Sequence, residues 1–403
     1  MCLHTADTKY RTCTKRYASP EKLREIITWN LSVLSHILRY NVQHDIRLYR
    51  ISSDLIPFGS SPINTLNWQQ EFREELAQIG AYIRQHNLRV SLHPGQYSVL
   101  NSPNPDVVAR TIEDLSYHST LLDLMELDAS HKLILHVGGV YGDKIQAMKR
   151  FIEQANKLSE NIRRRLTIEN DDHYYAIDEV LSIAEAVHLP VIFDTLHHQI
   201  LPPMETHAPL EWLDMVHTTW KETDGIMKIH YSEQAPCKRI GAHADMVSSH
   251  LFHDFLKTLG NRDMDIMLEV KDKNLSAIKC NDIAKGCLHN PTETIQRYRY
   301  VIPDIAKLLS LPVAELYASI DRQQKHPYDK TECLQLFERV QNSLVDVLHD
   351  REKKRMQAWR LRLEQDPSSY PLIIEALLGL LNKKGSSCVI GIYPLLYLIQ
   401  LHV

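Results

Sequence analysis

The chain has 403 residues, 44% hydrophobic and 24% charged, which are the proportions of a soluble globular protein and exclude a largely disordered or membrane-embedded one. Its net charge of −4 gives no broad basic field of the kind that non-specific nucleic-acid binders carry, although bound divalent cations would offset a local cluster of acidic ligands. Seven scattered cysteines form neither a disulfide framework nor a CxxC site, so the 22 histidines are the informative excess.

No signal peptide opens the chain and no apolar run is long enough to cross a bilayer, which leaves the cytoplasm as the expected compartment. Short β-branched or apolar runs then alternate with helical patterns. The runs cover residues 46–52, 88–95, 132–139, 165–170, 191–195, 226–232 and 265–272. The helical patterns cover 70–87, 104–127, 144–161, 176–188 and 248–259, with Asn104 as N-cap and Pro105 at the first helical position of the second. Near-continuous apolar strands separated by helices predict parallel strands covered on both faces. A doubly wound sheet would show a glycine-rich phosphate turn after its first strand, and there is none. The expected fold is therefore α/β, a TIM-type (β/α) barrel. After about residue 290 the text is helical and charged, so the expected domains are a barrel over 1–310 and a helical C-terminal extension over 311–403, packed partly on the barrel. The apolar tail from Cys388 is expected to be buried or poorly ordered.

In such barrels functional residues sit at the C-terminal ends of the strands. Those ends carry His93, His136, Glu169, Asp194 with His197, His230 and Glu269, and the loop after His230 adds His243. From His93 to Glu269, omitting His197 and His243, the intervals are 43, 33, 25, 36 and 39 residues, each about one βα unit, so the side chains converge on one mouth. Imidazoles and carboxylates without thiolates suit zinc, manganese or iron. Two or three ions about 4 Å apart activate water and stabilise the leaving oxygen of a phosphodiester; isomerisation is the other chemistry such a site supports.

Each residue also has a plain structural reading. His93 and His136 can be satisfied loop histidines, Glu169 can cap a helix, and His198 beside the DxxH pair Asp194–His197 fits a supporting or surface position. Lys228, two residues before His230, points to the same strand face, and the plain reading is a buried salt bridge to Glu169 or Glu269. Asp245 is expected to orient a neighbour. Arg47, Arg50, Lys238 and Arg239 are candidates for gripping phosphates or for simple surface solvation.

Taken together, LYRISSDLIPFGSSP, SLHPGQY, LILHVGG, LTIEND, FDTLHH, MKIHYS, GAHADMV and MLEVKDK resemble the UV damage endonuclease family over roughly residues 8–310. The resemblance implies a TIM barrel related to endonuclease IV and xylose-isomerase-like enzymes. It implies nicking of double-stranded DNA immediately 5′ to cyclobutane dimers, 6-4 photoproducts and some other lesions, leaving a 3′-hydroxyl and a 5′-phosphate and so starting excision repair. Implied metal ligands are His93, His136, Glu169, Asp194, His197, His230, His243 and Glu269. The implied ions are manganese, two or three per site, with zinc, cobalt or magnesium as alternatives. Lys228, His230 and Glu169 are the residues implied at the chemistry, and the resemblance implies that Lys228 can be carboxylated. Gln96 and Tyr97 are implied to enter the duplex at the lesion, where an amide and an aromatic ring fill space left by unstacked bases. A monomer, associated with the nucleoid when on DNA, is the expected form.

Two departures stand out. The family usually opens with a strand reading like LGY, and in MCLHTADTKYRTCT that strand and its aromatic damage probe are nearly absent, so seven strands are expected. At GSSP, Ser61 stands where many relatives are expected to have histidine. Two other functions fit the same pattern: a sugar isomerase or epimerase on the same barrel, and a non-catalytic damage-binding protein. The HPGQY loop, with its exposed amide and aromatic groups, argues against a closed sugar pocket.

Overall fold

The computed structural model describes residues 8–299, 302, 304–324, 330–366 and 369–381; the apolar tail from Cys388 and the first seven residues lie outside them. Seven strands form one all-parallel sheet in sequential order: β1 (Leu48–Ile51), β2 (Arg89–Leu92), β3 (Lys132–His136), β4 (Leu166–Glu169), β5 (Val191–Asp194), β6 (Lys228–Tyr231) and β7 (Asp265–Leu268). Each lies inside the run expected for it. Most of their Val, Ile, Leu and Phe side chains are buried, as a sheet covered on both faces requires, while Leu48, Ile266 and Leu268 on β1 and β7 are half-buried.

The chain does not open on a strand. Helix α1 (Pro20–Gln43) precedes β1, started by Ser19, whose side chain accepts from Lys22 N, with Pro20 at the first helical position. Its apolar stripe of Leu23, Ile26, Ile27, Leu31, Leu34, Ile37 and Leu38 recurs at helical spacing and is buried. Residues 8–14, the described part of the opening segment, form no strand. The crossover helices are α2 (Arg73–Gln85), α3 (Pro105–Leu124), α4 (Lys144–Lys157), α5 (Ile177–Val187), α6 (Thr195–Ile200), α7 (Pro209–Thr218) and α8 (Ser249–Leu259). Asn104 caps α3 as expected, accepting from Asp106 N.

The ring of strands is nearly closed, and side chains join its two edges. At the C-terminal ends, Arg50 of β1 meets Glu269 just after β7 at 2.5 Å. At the N-terminal ends, Arg89 of β2 reaches Asp265 of β7 at 2.5 Å and the carbonyl of Asp224 at 2.6 Å. Lys132 at the start of β3 pairs with Asp224, and Arg165 just before β4 with Asp123 at 2.7 Å. These pairs lie at the end of the barrel opposite the candidate site, with Lys132, Arg165 and Asp224 buried.

The described residues divide into two compact units, one of 8–244 and 258–271, the other of 245–257 and those from 272 on. Compactness thus divides the chain elsewhere than at the boundary expected near residue 310. The second unit is helical. One apolar core of Leu275, Phe337, Val340, Met356, Leu363, Ile373 and Leu377 holds its C-terminal helices together. A polar knot forms a second centre: Lys279 Nζ reaches Asp321 at 3.0 Å, and Asp321 also accepts from Ser249 N at 2.7 Å. Among the described residues, no helix is long and apolar enough to cross a membrane.

Candidate metal centre

Glu169, the last residue of β4, is the hub. It is fully buried, and three sets of potential ligand atoms lie close together around it: with His93 and His136, with Asp194 and His197, and with His230 and Glu269. His93 Nε2 is 3.2 Å and His136 Nε2 3.6 Å from Oε2, while His230 Nδ1 is 2.5 Å from Oε1. His243 joins the ring through Glu269, 3.7 Å away. All eight expected ligands therefore face one mouth, because equivalent ends of successive parallel strands meet there.

The electrostatics are those of a site that could hold cations. Burial raises the Glu169 carboxyl, but His230 and His136 outweigh it and hold the group well below the usual carboxylate range. Glu269 is likewise raised by burial and lowered more by Arg50 and His230, to about 2. Asp194 goes the other way: burial, then the nearby Glu169 and Glu269, push it up to about 7 against the pull of His197. Burial opposes protonation of His197, yet Asp194 and Glu169 raise it to about 8. Three carboxylates crowded into a dry mouth oppose one another unless a cation lies between them.

Hydrogen bonding leaves atoms open where a cation would coordinate. Asp194 Oδ1 caps α6, accepting from Leu196 N and His197 N at 2.8 Å each, while buried Oδ2 has no partner. Asn170 grips the Asp194 backbone from both sides, donating to its carbonyl at 3.2 Å and accepting from its N–H at 2.8 Å. The Asn170 carbonyl lies 2.9 Å from His197 Nδ1; donation from that nitrogen turns Nε2 toward the centre. The donor set of five imidazoles and three carboxylates, with these open atoms, fits divalent transition ions.

A family model described as UV-endonuclease UvdE matches residues 2–286. The chain belongs to the UV-endonuclease UvdE family. The UV DNA damage endonuclease of Clostridium perfringens (strain 13 / Type A) is 39% identical over 349 residues, covering 83% of this chain and 84% of that protein. That of Bacillus mycoides (strain KBAB4) is 36% identical over 267 residues, covering 66% and 84%. The crystal structure of SacUVDE superposes with a TM-score of 0.66 at 39% identity, covering 70% of this chain and 96% of that one.

Within this UvdE-family barrel, several expected roles need correction. Lys228 is fully buried as expected, but the salt bridge to Glu169 or Glu269 is absent and its Nζ has no hydrogen-bond partner. Burial, then nearby Arg89, lowers the amine to about 7. Arg47 cannot grip DNA at the mouth, because it precedes β1 at the opposite end and is held by Asp45 and the His86 carbonyl. Arg50 is at the mouth but is engaged inward: Nη2 donates to His230 Nε2 at 2.9 Å and to Glu269. A guanidinium only donates, so His230 accepts there and carries its proton on Nδ1, toward Glu169. Lys238 and Arg239 are exposed on the loop before His243. His198 is half-buried and packs near Phe193 and Trp212. Ser61 turns back locally, its hydroxyl accepting from Ile63 N.

Gln96 and Tyr97 are exposed at the mouth, the tyrosine at 77%, on the tight turn closed by Ser98 N donating to the Gly95 carbonyl at 2.8 Å. Sequence reasoning missed Asn170 as a supporting residue. The NDD run after Glu169 was its one signal, and it reads equally well as a helix start.

Proposed function

We propose that this protein nicks double-stranded DNA immediately 5′ to cyclobutane pyrimidine dimers, 6-4 photoproducts and other distorting lesions by metal-dependent phosphodiester hydrolysis, leaving a 3′-hydroxyl and a 5′-phosphate. The observation that carries this reading is the convergence of eight ligand-type side chains on one barrel mouth in a UvdE-family chain. His93, His136, Glu169, Asp194, His197, His230, His243 and Glu269 would hold two or three ions, manganese being the first candidate and zinc, cobalt or magnesium the alternatives. Bound divalent ions would supply the Lewis acidity that makes a hydroxide from water and stabilises the departing 3′-oxygen.

The remaining tasks fall to the chain itself. The ionised Glu169 accepts from His230 Nδ1 at 2.5 Å, which orients the imidazole and the hub carboxylate against each other. Arg50 fixes the orientation of Glu269. Lys228, with an amine near neutrality, is suited to react with carbon dioxide, forming an N–C bond with loss of a proton and giving a carboxylated side chain in the barrel interior. Gln96 and Tyr97 would enter the duplex where a lesion has weakened stacking, and the lower unstacking cost of damaged DNA supplies selectivity. We assign the protein to the cytoplasm, at the nucleoid when bound, as a monomer that initiates excision repair.

Purified protein with manganese is expected to nick UV-irradiated supercoiled plasmid and leave untreated plasmid intact, with activity lost on chelation and in His136→Ala. Absence of nicking by folded, metal-loaded protein would refute this function.

A further inference from the structure

Helix α3 lies outside the mouth and contributes none of the candidate ligands, yet one face of it ties two neighbouring mouth loops together. Thr111, Asp114 and Tyr117 recur at intervals of three and so share that face. Half-buried Asp114 receives the hydroxyl of Ser98 at 2.8 Å on one carboxylate oxygen and that of Ser60 at 3.1 Å on the other. Ser98 belongs to the loop after β2, and Ser60 to the loop after β1. Thr111 Oγ1 accepts from Val99 N at 3.0 Å, one residue beyond Ser98. The Tyr117 hydroxyl donates to Ser53 O at 3.0 Å, and Ser53 in turn donates to the His93 carbonyl at 2.9 Å. The Tyr117 ring lies so close to Gly59 that a Cβ there would overlap it.

Between His93 and Ser98 stand only Pro94, Gly95, Gln96 and Tyr97, and the turn closed from Ser98 N to the Gly95 carbonyl carries Gln96 and Tyr97 at its two central positions. Gly95 permits the Tyr97 ring to lie over the backbone, since a Cβ at Gly95 would come within 2.5 Å of the ring. The turn is thus pinned at both feet while its two tip residues are exposed. Hydrogen bonds to an ionised carboxylate are the stronger kind, and a tip held in its bound conformation avoids the ordering cost of insertion.

We infer that Asp114 is a positioning residue for damage recognition: by fixing Ser98 and Ser60 together, it sets the height and direction of the Gln96–Tyr97 turn above the metal centre. This rests on the reading that Gln96 and Tyr97 contact DNA. Asp114 touches neither substrate nor ligand; it acts through Ser98.

The test compares Asp114→Asn, Ser98→Ala, Ser98→Thr and Tyr97→Ala in the full-length, manganese-loaded protein. Binding and nicking are measured on a duplex with a single cyclobutane thymine dimer, and binding on its undamaged twin. Asp114→Asn and Ser98→Ala are expected to lower the damaged-to-undamaged binding ratio about tenfold and raise KM correspondingly, with kcat at saturation, manganese affinity and thermal midpoint little changed. Ser98→Thr, which keeps the hydroxyl, is expected to restore the ratio. If Tyr97→Ala lowers the ratio but Asp114→Asn and Ser98→Ala do not, the positioning role is overturned while the contact reading stands. If Tyr97→Ala leaves the ratio unchanged, the contact reading fails and this inference with it. A loss in Asp114→Asn that tracks a fall in thermal midpoint and is not shared by Ser98→Ala overturns the inference in favour of a purely structural role.

Discussion

The two ends of the barrel both hold buried charge, and they hold it in opposite ways. At the N-terminal end Arg89, Lys132 and Arg165 each reach a carboxylate partner, Asp265, Asp224 and Asp123, and carbonyl oxygens absorb further N–H groups. At the C-terminal end Glu169, Asp194 and Glu269 crowd one another, Asp194 leaves an oxygen without a partner, and imidazoles are the main neighbours. Paired charge at the first end ties strands together, although Lys228 Nζ and Arg165 Nε stay without a partner there; at the second, the open atoms include a carboxylate oxygen of Asp194. Burial alone does not separate a structural ion cluster from a functional one. The chemistry of the atoms left open, a carboxylate among imidazoles, points to a cation at the mouth.

The sharpest way to break this comparison is at the hub. Glu169→Gln keeps shape and removes charge from all three ligand sets, so nicking of irradiated plasmid is expected to fall by about 10³-fold or more. The metal-free variant should also melt below the parent at neutral pH, because His230 and His136 hold the ionised Glu169 well below the usual carboxylate range and that charge therefore stabilises the fold. Nicking rate and thermal midpoint, measured on the same preparations, check both halves.

At the opposite end stability should fall while activity is spared. Arg89→Ala leaves Asp265 of β7 without the cation that reaches it from β2, and is expected to cost about 3 kcal/mol of stability. Activity per folded molecule should be nearly unchanged. Denaturant unfolding with parallel nicking assays would decide; a large loss of activity in still-folded protein would show that the two ends are not separable.

Between these extremes lies Asn170. Its side chain holds the Asp194 backbone and its carbonyl orients His197, so Asn170→Ala should loosen two ligands without removing either. Manganese affinity by calorimetry is expected to fall about 10- to 100-fold, with most activity recovered at saturating metal.

These contrasts were only partly legible in the sequence. All seven strands were, because a parallel strand covered on both faces must be apolar along its length. The convergence of the six candidates at strand ends was as well, because residue type and position at a strand's C-terminal end carry the information together. Arg47 shows the limit: it flanks β1 as closely as a mouth residue does, and only chain direction places it at the other end. Arg50, Asn170 and Asp114 owe their roles to partners brought close by the fold, in the case of Arg50 and Glu269 from 219 residues away. Local pattern does not encode such contacts. Helix α1, absent from the expected helices, was legible in principle, since Ser19–Pro20 and its apolar stripe are ordinary signals.

The smallest effect tests the electrostatic half of the comparison directly. Asp194 is raised to about 7 when folded, mainly by burial, whereas an unfolded aspartate ionises near pH 4. Between those values the native state binds more protons than the unfolded state, so the contribution of Asp194 to stability is present below about pH 4 and declines as pH rises through 7. Asp194→Asn retains a side-chain oxygen for the α6 cap and removes the titration. Without metal it should therefore be more stable than the parent by about 2 kcal/mol at pH 8, with the difference vanishing below about pH 4. Saturating manganese should reverse the order, because the cation favours the ionised carboxylate that Asn lacks. Thermal unfolding at several pH values, with manganese and with chelator, reads both signs. The same advantage for Asn in manganese and in chelator would mean that Asp194 is a buried structural acid, and the uncompensated charge at the mouth would then need another explanation.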